Sequence, residues 1–555
     1  MLSWLLTYRR ECLRADIIAG MTTAAVVIPK AMACAVIAGL PVEIGLYTAL
    51  AAMLAYPFFG GSRPLSVSST SAIAMLTASV VIADMAGASG AGPAVLAATL
   101  AFLVGSILLL ARLLRLGFLA NFISKPVLVG FTAGVGVVII IGQLKSVLGV
   151  SIASHNTVGI LRELPTQLGN VHALTMLVGA IGILLLVGMH RMHSKLPAPL
   201  VWVALVIAAS MLFGLGERGL KLIGEVPSGL PALALPAWNL MPSLLPAALG
   251  IALMSFTESI AAARTFWRSE DRPIKPNQEL LAIGAANLAT ALVGGMPAGG
   301  GTSQTAVAEQ AGTRSQMAQW IGALAVLLTL LLLSKLIGFL PEVALAALVI
   351  VVAAGMIKPS EFRAIAQVKR AEWAWALVTF AGVLLIGTLE GILIAVVVSM
   401  LTIMYQANHP PVYEVAYNKS KDVFRRLGEN DDDQTIAGLL MLRTEGRLTF
   451  ANAANIGPKM HELIQQSNAR VIVLECSAIP DIEYTALLML IDAEKKLRGR
   501  GVRFCLAALN PDLLKTIERS PLGATLGHER MFFGLKNAVQ AYEQGMLQNV
   551  HQSAA

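Results

Sequence analysis

Two ionisable residues stand where an apolar chain carries almost none. Lys30 falls about fourteen residues past Asp16, and Glu258 sits within Ser255-Phe256-Thr257-Glu258-Ser259, flanked by hydroxyls. A charge at mid-membrane depth costs roughly 2.5–3.5 kcal/mol on insertion scales, so each must face a wet cavity or a partner. An ammonium in such a place can hold an anion. A carboxylate beside it can carry a coupled proton that offsets an incoming dianion. The plainer readings are a Lys30 that snorkels or pairs permanently with Glu258, and a Glu258 that only bonds one helix to another.

A third feature is Gly294-Gly-Met-Pro-Ala-Gly-Gly-Gly-Thr-Ser-Gln-Thr305. Gly costs about 1 kcal/mol and Pro about 3 inside a helix, so no stable helix runs through it. Bare backbone facing lipid leaves N–H and C=O groups unpaired, so the break belongs inside protein or around water. Thr302, Ser303, Gln304 and Thr305 then read as the start of a short helix whose free N–H groups and positive dipole end attract an anion. Gly299, Gly300 and Gly301 permit close backbone approach. Ser66-Val-Ser-Ser-Thr-Ser71 opens a second short segment, and Ser68, Ser69, Thr70 and Ser71 are expected to cap it and line the same site. Arg264 and Arg268 read as topology residues of an inner loop. Glu279 and Asn287 fit either a site or the bracing of packed helices.

These residues need a membrane scaffold, and the bulk composition supplies one. The chain has 555 residues, of which 56% are hydrophobic and only 13% charged; its mean hydropathy is +0.71. Soluble chains carry about 25% charged residues. Coarse hydropathy gives fourteen apolar segments, centred near residues 27, 51, 76, 102, 133, 181, 206, 255, 286, 308, 326, 349, 380 and 398. With the N-terminus inside, about eighteen basic residues fall on inner loops, among them Arg63, Arg112, Arg191, Arg268, Arg314 and Lys358. Five (Lys145, Arg162, Arg218, Lys221 and Lys335) fall outside. An even number of spans puts both termini in the cytosol, and Arg9, Arg10 and Arg14 mark a cytosolic lead-in rather than a signal peptide.

The halves also match each other. Ile28-Pro29-Lys30 recurs about 230 residues later as the polar interruption around Glu258, and Ser66–Ser71 recurs about 230 later as Thr302–Thr305. Seven spans separate each pair, an odd number, so the second copy is inverted. Paired polar interruptions in two halves point to a transporter's midplane site. The domains expected are a cytosolic N-terminus (1–15), a membrane domain (16–408), a charged linker (409–434), a small α/β domain (435–545) and a disordered tail (546–555). In the α/β domain, strands are expected at Ala437–Leu442, Leu448–Ala451, Val471–Glu475 and Val502–Ala507. Helices are expected over Ala454–Gln466, Tyr484–Arg498, Asp512–Arg519 and Gly534–Glu543.

Several motifs resemble one family in the right order over nearly the whole chain. Pro29-Lys-Ala-Met-Ala with Ala38-Gly-Leu-Pro41 and Gly45-Leu-Tyr47 resembles the first signature of the SulP sulfate-permease family. Phe256–Arg264, Pro276–Leu280, Gly294–Pro297 and Ser303–Val307 are similar to its eighth, ninth and tenth segments. The C-terminal region resembles a STAS domain, the module shared by sulfate transporters and anti-sigma-factor antagonists. The resemblance implies fourteen segments in two inverted seven-helix repeats, arranged as a core and a gate. It also implies an anion between half-helices three and ten, an elevator-like motion, and homodimers.

The chain departs from the family at three points. Lys30 stands where Gln is usual, Gln304 where an Arg helps hold the anion, and Ser68-Ser69 where Gly-Pro is common. The first two changes are complementary, one cation lost and one gained. Asp481-Ile-Glu-Tyr-Thr485 matches the loop that carries a phosphorylatable residue in anti-sigma antagonists. Thr485 is the matching residue, Glu483 stands where Asp is usual, and the plain scaffold reading is preferred for this loop.

The function expected is secondary active transport of a small anion, sulfate first, coupled to a proton or sodium ion. Bicarbonate or a C4-dicarboxylate is the alternative within the family. An anion channel, an uncoupled exchanger and a membrane-anchored STAS scaffold are the alternatives outside it. No cofactor, metal or enzyme is expected: there is no GxxxxGK[ST] loop, no HExxH, and His190-Arg-Met-His193 lacks further ligands. A net charge of +8 has its place in inner loops rather than on nucleic acid, which would need a basic run with interleaved aromatics. Cys12, Cys34, Cys476 and Cys505 form no CxxC and imply no disulfide framework. The expected setting is a bacterial inner membrane, with lipid around the spans and an unknown cytosolic partner for the STAS domain.

Overall fold

The computed structural model describes residues 5, 8–85, 92–121, 124–152, 154, 157–192, 197–227, 229–418, 421–428 and 433–547. It falls into two compact units, Met1–Ser399 and Met400–Ala555.

A helix stands at each of the fourteen expected centres. They are α1 (Leu13–Ile37), α2 (Val42–Phe59), α3 (Ser71–Met85), α4 (Pro93–Leu113), α5 (Lys125–Leu148), α6 (Ala173–Arg191) and α7 (Ala198–Phe213). The second set is α8 (Met241–Thr265), α9 (Pro276–Leu292), α10 (Thr302–Gln310), α11 (Met317–Leu328), α12 (Glu342–Ala354), α13 (Arg370–Leu385) and α14 (Thr388–Asn408). Among the described residues, seven helices are long and apolar enough to cross a membrane. A pair bent by 119°, Thr157–Asn170 with Ala173–Met189, makes an eighth if counted as one span. Beyond the fourteen, Thr157–Gln167 and Pro359–Val368 carry more polar residues and were not expected, and the four-residue helix Ser334–Ile337 follows α11.

Two expected interruptions are absent. α1 runs through Pro29 and α8 through Ser255–Ser259 as continuous helix. Pro29 removes one backbone hydrogen bond, which a long helix packed on all sides tolerates better than an isolated one. The real breaks are at α3 and α10. Each is preceded by a two-residue strand, β1 (Val67–Ser68) and β2 (Gly299–Gly300). The strands pair antiparallel, Val67 opposite Gly300 and Ser68 opposite Gly299. Because they run in opposite directions, the helices that follow leave in opposite directions with their N-termini close together.

The second unit is built on a mixed sheet. Its strands are β3 (Val412–Asn418), β4 (Val423–Arg426), β5 (Leu439–Thr444), β6 (Val471–Glu475), β7 (Arg503–Ala507) and β8 (Met531–Phe532), in the order β4-β3-β5-β6-β7-β8, and a two-residue strand, Asp433–Gln434, that pairs antiparallel with β3 off this path. The pairs β4–β3 and β3–β5 are antiparallel, and β5 through β8 run parallel. Every residue of β6 is buried, as a central strand covered on both faces requires. Helices α15 (Phe450–Gln466), α16 (Tyr484–Gly499), α17 (Pro511–Glu518), α18 (Pro521–Leu526) and α19 (Leu535–Glu543) supply those covers.

Two expectations need correction here. The stretch 409–434 is not simply a linker: β3 and β4 lie within it, and β3 is hydrogen-bonded into the sheet. Its charges had hidden a hairpin in which the neighbouring residues Val415 and Ala416 of β3 are both buried. Leu448–Ala451 is not a strand beyond a single bridge from Leu448 to Ile482. Thr449 and Asn452 instead form a reciprocal cap that starts α15 there. Asn452 and Asn455 also donate to the carbonyls of Ala407 and Asn408, satisfying the end of α14. Residues 548–555 of the expected tail, residues 419–420 and 429–432 of the expected linker, and His193 lie outside the described residues.

Candidate functional site

The site grows from the crossing of β1 and β2. Gly300 passes so close to α8 that an added Cβ would lie 2.9 Å from the Ser259 Cα and 2.8 Å from the Leu65 Cδ1. Its N–H donates to the Ser259 hydroxyl at 2.7 Å. One turn earlier on α8, the Ser255 hydroxyl donates to the Ala298 carbonyl at 2.6 Å. Asn287 on α9 grips the same peptide from the other side. It accepts from the Ala298 N–H at 2.9 Å and donates to the Ala298 carbonyl at 3.0 Å. Side chains of α8 and α9 thus satisfy the polar backbone groups of Ala298 and the N–H of Gly300.

Past Gly301 the chain enters α10. Its first internal bond runs from the Thr305 N–H to the Gly301 carbonyl, and among the described residues no side-chain cap bonds the N–H groups before it. Thr302 and Ser303 are exposed, whereas residues 296–301, 304 and 305 are buried. Gln304 turns inward. Its Nε2 donates to the Ser66 carbonyl at 2.7 Å, and its Oε1 accepts from the Ser68 hydroxyl at 2.9 Å and from Lys30 Nζ at 3.3 Å. One amide therefore joins α1, β1 and α10.

Lys30 is 8% exposed and faces Gln304 rather than Glu258; among the described residues no ion pair joins the two. Permanent pairing of Lys30 with Glu258 is excluded for this state. Glu258 instead accepts the Thr70 hydroxyl at 2.7 Å, and Thr70 in turn accepts the Ile73 N–H at 3.4 Å at the start of α3. Of the four expected caps, Thr70 is the one whose side chain bonds the first turn of α3 among the described residues. Ser68 lies in β1 and serves Gln304, a role set by strand pairing that local sequence does not carry. Among the described residues, the hydroxyls of Ser66 and Thr257 are buried without a hydrogen-bond partner. Such groups are costly in a dry interior and are suited to receiving a polar ligand.

A profile of the sulfate permease family matches residues 13–379, and a STAS domain profile matches residues 432–538. The chain belongs to the sulfate permease family. A probable sulfate transporter of Mycobacterium tuberculosis (strain CDC 1551 / Oshkosh) is 35% identical over 545 residues, covering 97% of this chain and 96% of the relative. The chloroplastic sulfate transporter 4.1 of Arabidopsis thaliana is 26% identical over 559 residues, covering 97% and 81%. The structure of the murine solute carrier 26 family member A9 anion transporter aligns with a TM-score of 0.87 at 20% identity, over 98% of this chain and 93% of that one. The transmembrane domain of a cyanobacterial bicarbonate transporter aligns at 0.60 and 24% identity, over 71% and 98%. These two likenesses carry the fold.

Within this family member, the structure brings Lys30, Ser68, Gly300, Gly301 and Gln304 together, with Thr70 and Glu258 joined beside them. An added Cβ on Gly301 would stand 3.0 Å from Lys30 Nζ, so the missing side chain leaves that ammonium its room. Thr485 stands apart in the second unit, exposed in the first turn of α16. There Asp481 and Glu483 are engaged by Arg447 at 2.7 and 3.9 Å. Asn287 braces the break, and Glu279 braces α9 by accepting from Tyr56 at 2.8 Å and from the Gly61 N–H at 2.9 Å. Asp16 was not expected to matter. Buried at the start of α1, it accepts from the N–H groups of Arg314 and Ser315 at 2.8 and 3.0 Å. An isolated acid at the edge of an apolar run was the signal.

Proposed function

We propose that the chain is a secondary active transporter that takes up a small inorganic anion, sulfate first, across a bacterial inner membrane. The observation that carries this is the uncapped start of α10, flanked by exposed Thr302 and Ser303, with the Lys30 ammonium held next to it by Gln304. Free N–H groups, a positive dipole end and one cation together favour an anion. Ser68 in β1, which donates to Gln304, and Thr70 just before α3, which donates to Glu258, supply hydroxyls from the other half, with Ser69 and Ser71 beside them in sequence. A STAS domain and full-length likeness to proteins called sulfate transporters support sulfate as the first anion to test.

Glu258 is proposed as the carrier of the coupling ion, with Thr70 fixing its orientation. The two inverted repeats, an elevator-like shift of core against gate, a homodimer and cytosolic termini belong to the same reading. The deciding experiment is uptake of labelled sulfate into proteoliposomes, with and without an inward proton or sodium gradient. Accumulation that needs a gradient supports the reading. No sulfate uptake under either gradient removes sulfate and passes the assay to labelled bicarbonate and succinate.

A further inference from the structure

The stretch from Gly60 to Ser66 leads from α2 into β1, and Arg63 lies in its middle. Its Nε meets Asp271 Oδ1 at 2.8 Å, its Nη2 meets Glu309 Oε2 at 3.0 Å, and its Nη1 donates to the Thr313 carbonyl. Asp271 belongs to the loop that follows α8, and Glu309 to the last turn of α10. Arg268, from the same loop as Asp271, also reaches Glu309, and its backbone N–H donates to Asp271 Oδ2 at 3.0 Å. Gln316 closes the cluster by donating to the carbonyls of Ser62 and Arg63. The side chains of Arg63, Asp271 and Glu309 are only 17%, 14% and 12% exposed.

Two arginines meet two carboxylates, so the cluster neutralises itself without any ion from outside. It joins three places, and each is the far end of an element that carries part of the anion site. β1 bears Ser68, α8 bears Glu258, and α10 bears Thr302 to Gln304. A short helix moves as a rod, so a shift at Glu309 is felt at its N-terminus. A planar guanidinium can hold two carboxylates in fixed directions, which an ammonium cannot.

We propose that Arg63 is a positioning residue for the anion site. Through Asp271 and Glu309 it fixes the relative placement of β1, α8 and α10, so the two half-helix N-termini keep their spacing. This rests on the transport reading above for its substrate, but not for its geometry.

The test uses the full-length protein with Arg63→Gln, Arg63→Lys and Glu309→Gln. In proteoliposomes, Arg63→Gln is expected to raise the half-saturating sulfate concentration about tenfold or more with a smaller change in maximal rate, since small misplacements are costly at such sites. Arg63→Lys falls between it and the parent. A fall in maximal rate with unchanged half-saturation overturns the proposal. The second readout needs no transport: Ser303→Cys, in a Cys12→Ser background, is labelled with an anionic thiosulfonate. Its labelling rate is expected to change when Arg63→Gln is added, and an unchanged rate overturns the proposal. Where Arg63→Gln does not fold, Arg63→Lys and Glu309→Gln carry both readouts with the same signs. A parent protein that takes up no sulfate fails the transport reading alone, because the labelling comparison still decides the role of Arg63.

Discussion

Lys30 and Gln304 meet across the site, with Nζ of the one 3.3 Å from Oε1 of the other, although 274 residues separate them in sequence. The ammonium has three hydrogens to donate, and the neutral amide takes one of them without cancelling the charge. An anion at the start of α10 would therefore meet a full cation that is already oriented.

Replacing Lys30 with Gln removes that charge and leaves the rest of the site in place. Hydrogen bonds to charged groups are worth about 1.5–3 kcal/mol, so half-saturation is expected to rise roughly 10- to 100-fold. Because the two side chains touch, Lys30→Gln/Gln304→Arg returns a cation to nearly the same spot and recovers much of the affinity. Concentration-dependent uptake in the three proteins checks this. An unchanged affinity in Lys30→Gln means that Lys30 is not the cation the anion sees.

Glu258 tests the coupling. In Glu258→Gln the amide oxygen can still accept the Thr70 hydroxyl, now at 2.7 Å from Oε2, but the side chain no longer titrates. Uptake driven by an inward proton gradient is expected to vanish while exchange of anion for anion at equal pH persists. Full gradient-driven accumulation by the variant would remove Glu258 from the proton's path.

Much of this was legible before the fold was known, and the reason lies in cost. Lys30, Glu258 and the Gly294–Thr305 break are expensive in a membrane unless they serve a cavity, so each announced itself. The partners could not be read in the same way. Arg63 lies 208 residues from Asp271 and 246 from Glu309, and a basic residue on an inner loop has a sufficient explanation in topology alone. Ser68 was read as a cap because the antiparallel pairing of β1 with β2 is a tertiary fact. The hairpin of β3 and β4 was missed because β4, the edge strand, carries Arg425 and Arg426, and edge strands tolerate such charge on their open side.

The buried thiols of the second unit make a simpler prediction. Burial pushes Cys505 up to about 12 and Cys476 higher still, the latter aided by neighbouring Glu475. Since the thiolate is the reactive form, neither is expected to label with maleimide at neutral pH in the folded protein. With Cys34 also buried, intact-mass measurement should find at most one adduct, at Cys12, and up to four after denaturation. Native labelling at Cys476 or Cys505 would mean that the sheet opens.

Gly300 is a test of close approach. A methyl there would stand 2.9 Å from the Ser259 Cα, a backbone atom that cannot turn aside. Gly300→Ala must therefore push β2 away from α8 and disturb the 2.7 Å bond from its N–H to Ser259. Overpacking of this kind costs about 1–3 kcal/mol. Uptake is expected to fall sharply with a lowered melting temperature, and an active variant of parental stability would show that β2 has room to move.

Asn287 separates bracing from binding. Its amide satisfies both polar groups of the Ala298 peptide, accepting at 2.9 Å and donating at 3.0 Å, and it is fully buried. Asn287→Ala strands a buried N–H; the carbonyl keeps the Ser255 hydroxyl. One orphaned group costs about 1–3 kcal/mol. Asn287→Asp keeps the acceptor for the Ala298 N–H but turns its second oxygen toward the carbonyl, replacing attraction with repulsion. Asp is therefore expected to be no better than Ala, despite its closer shape, and Asn287→Gln to be poor because its amide is one carbon too far. Thermal unfolding of the three variants in detergent checks the order. If Asp matches the parent protein, the donated bond to Ala298 contributes nothing, and α9 holds the break only by accepting from the Ala298 N–H.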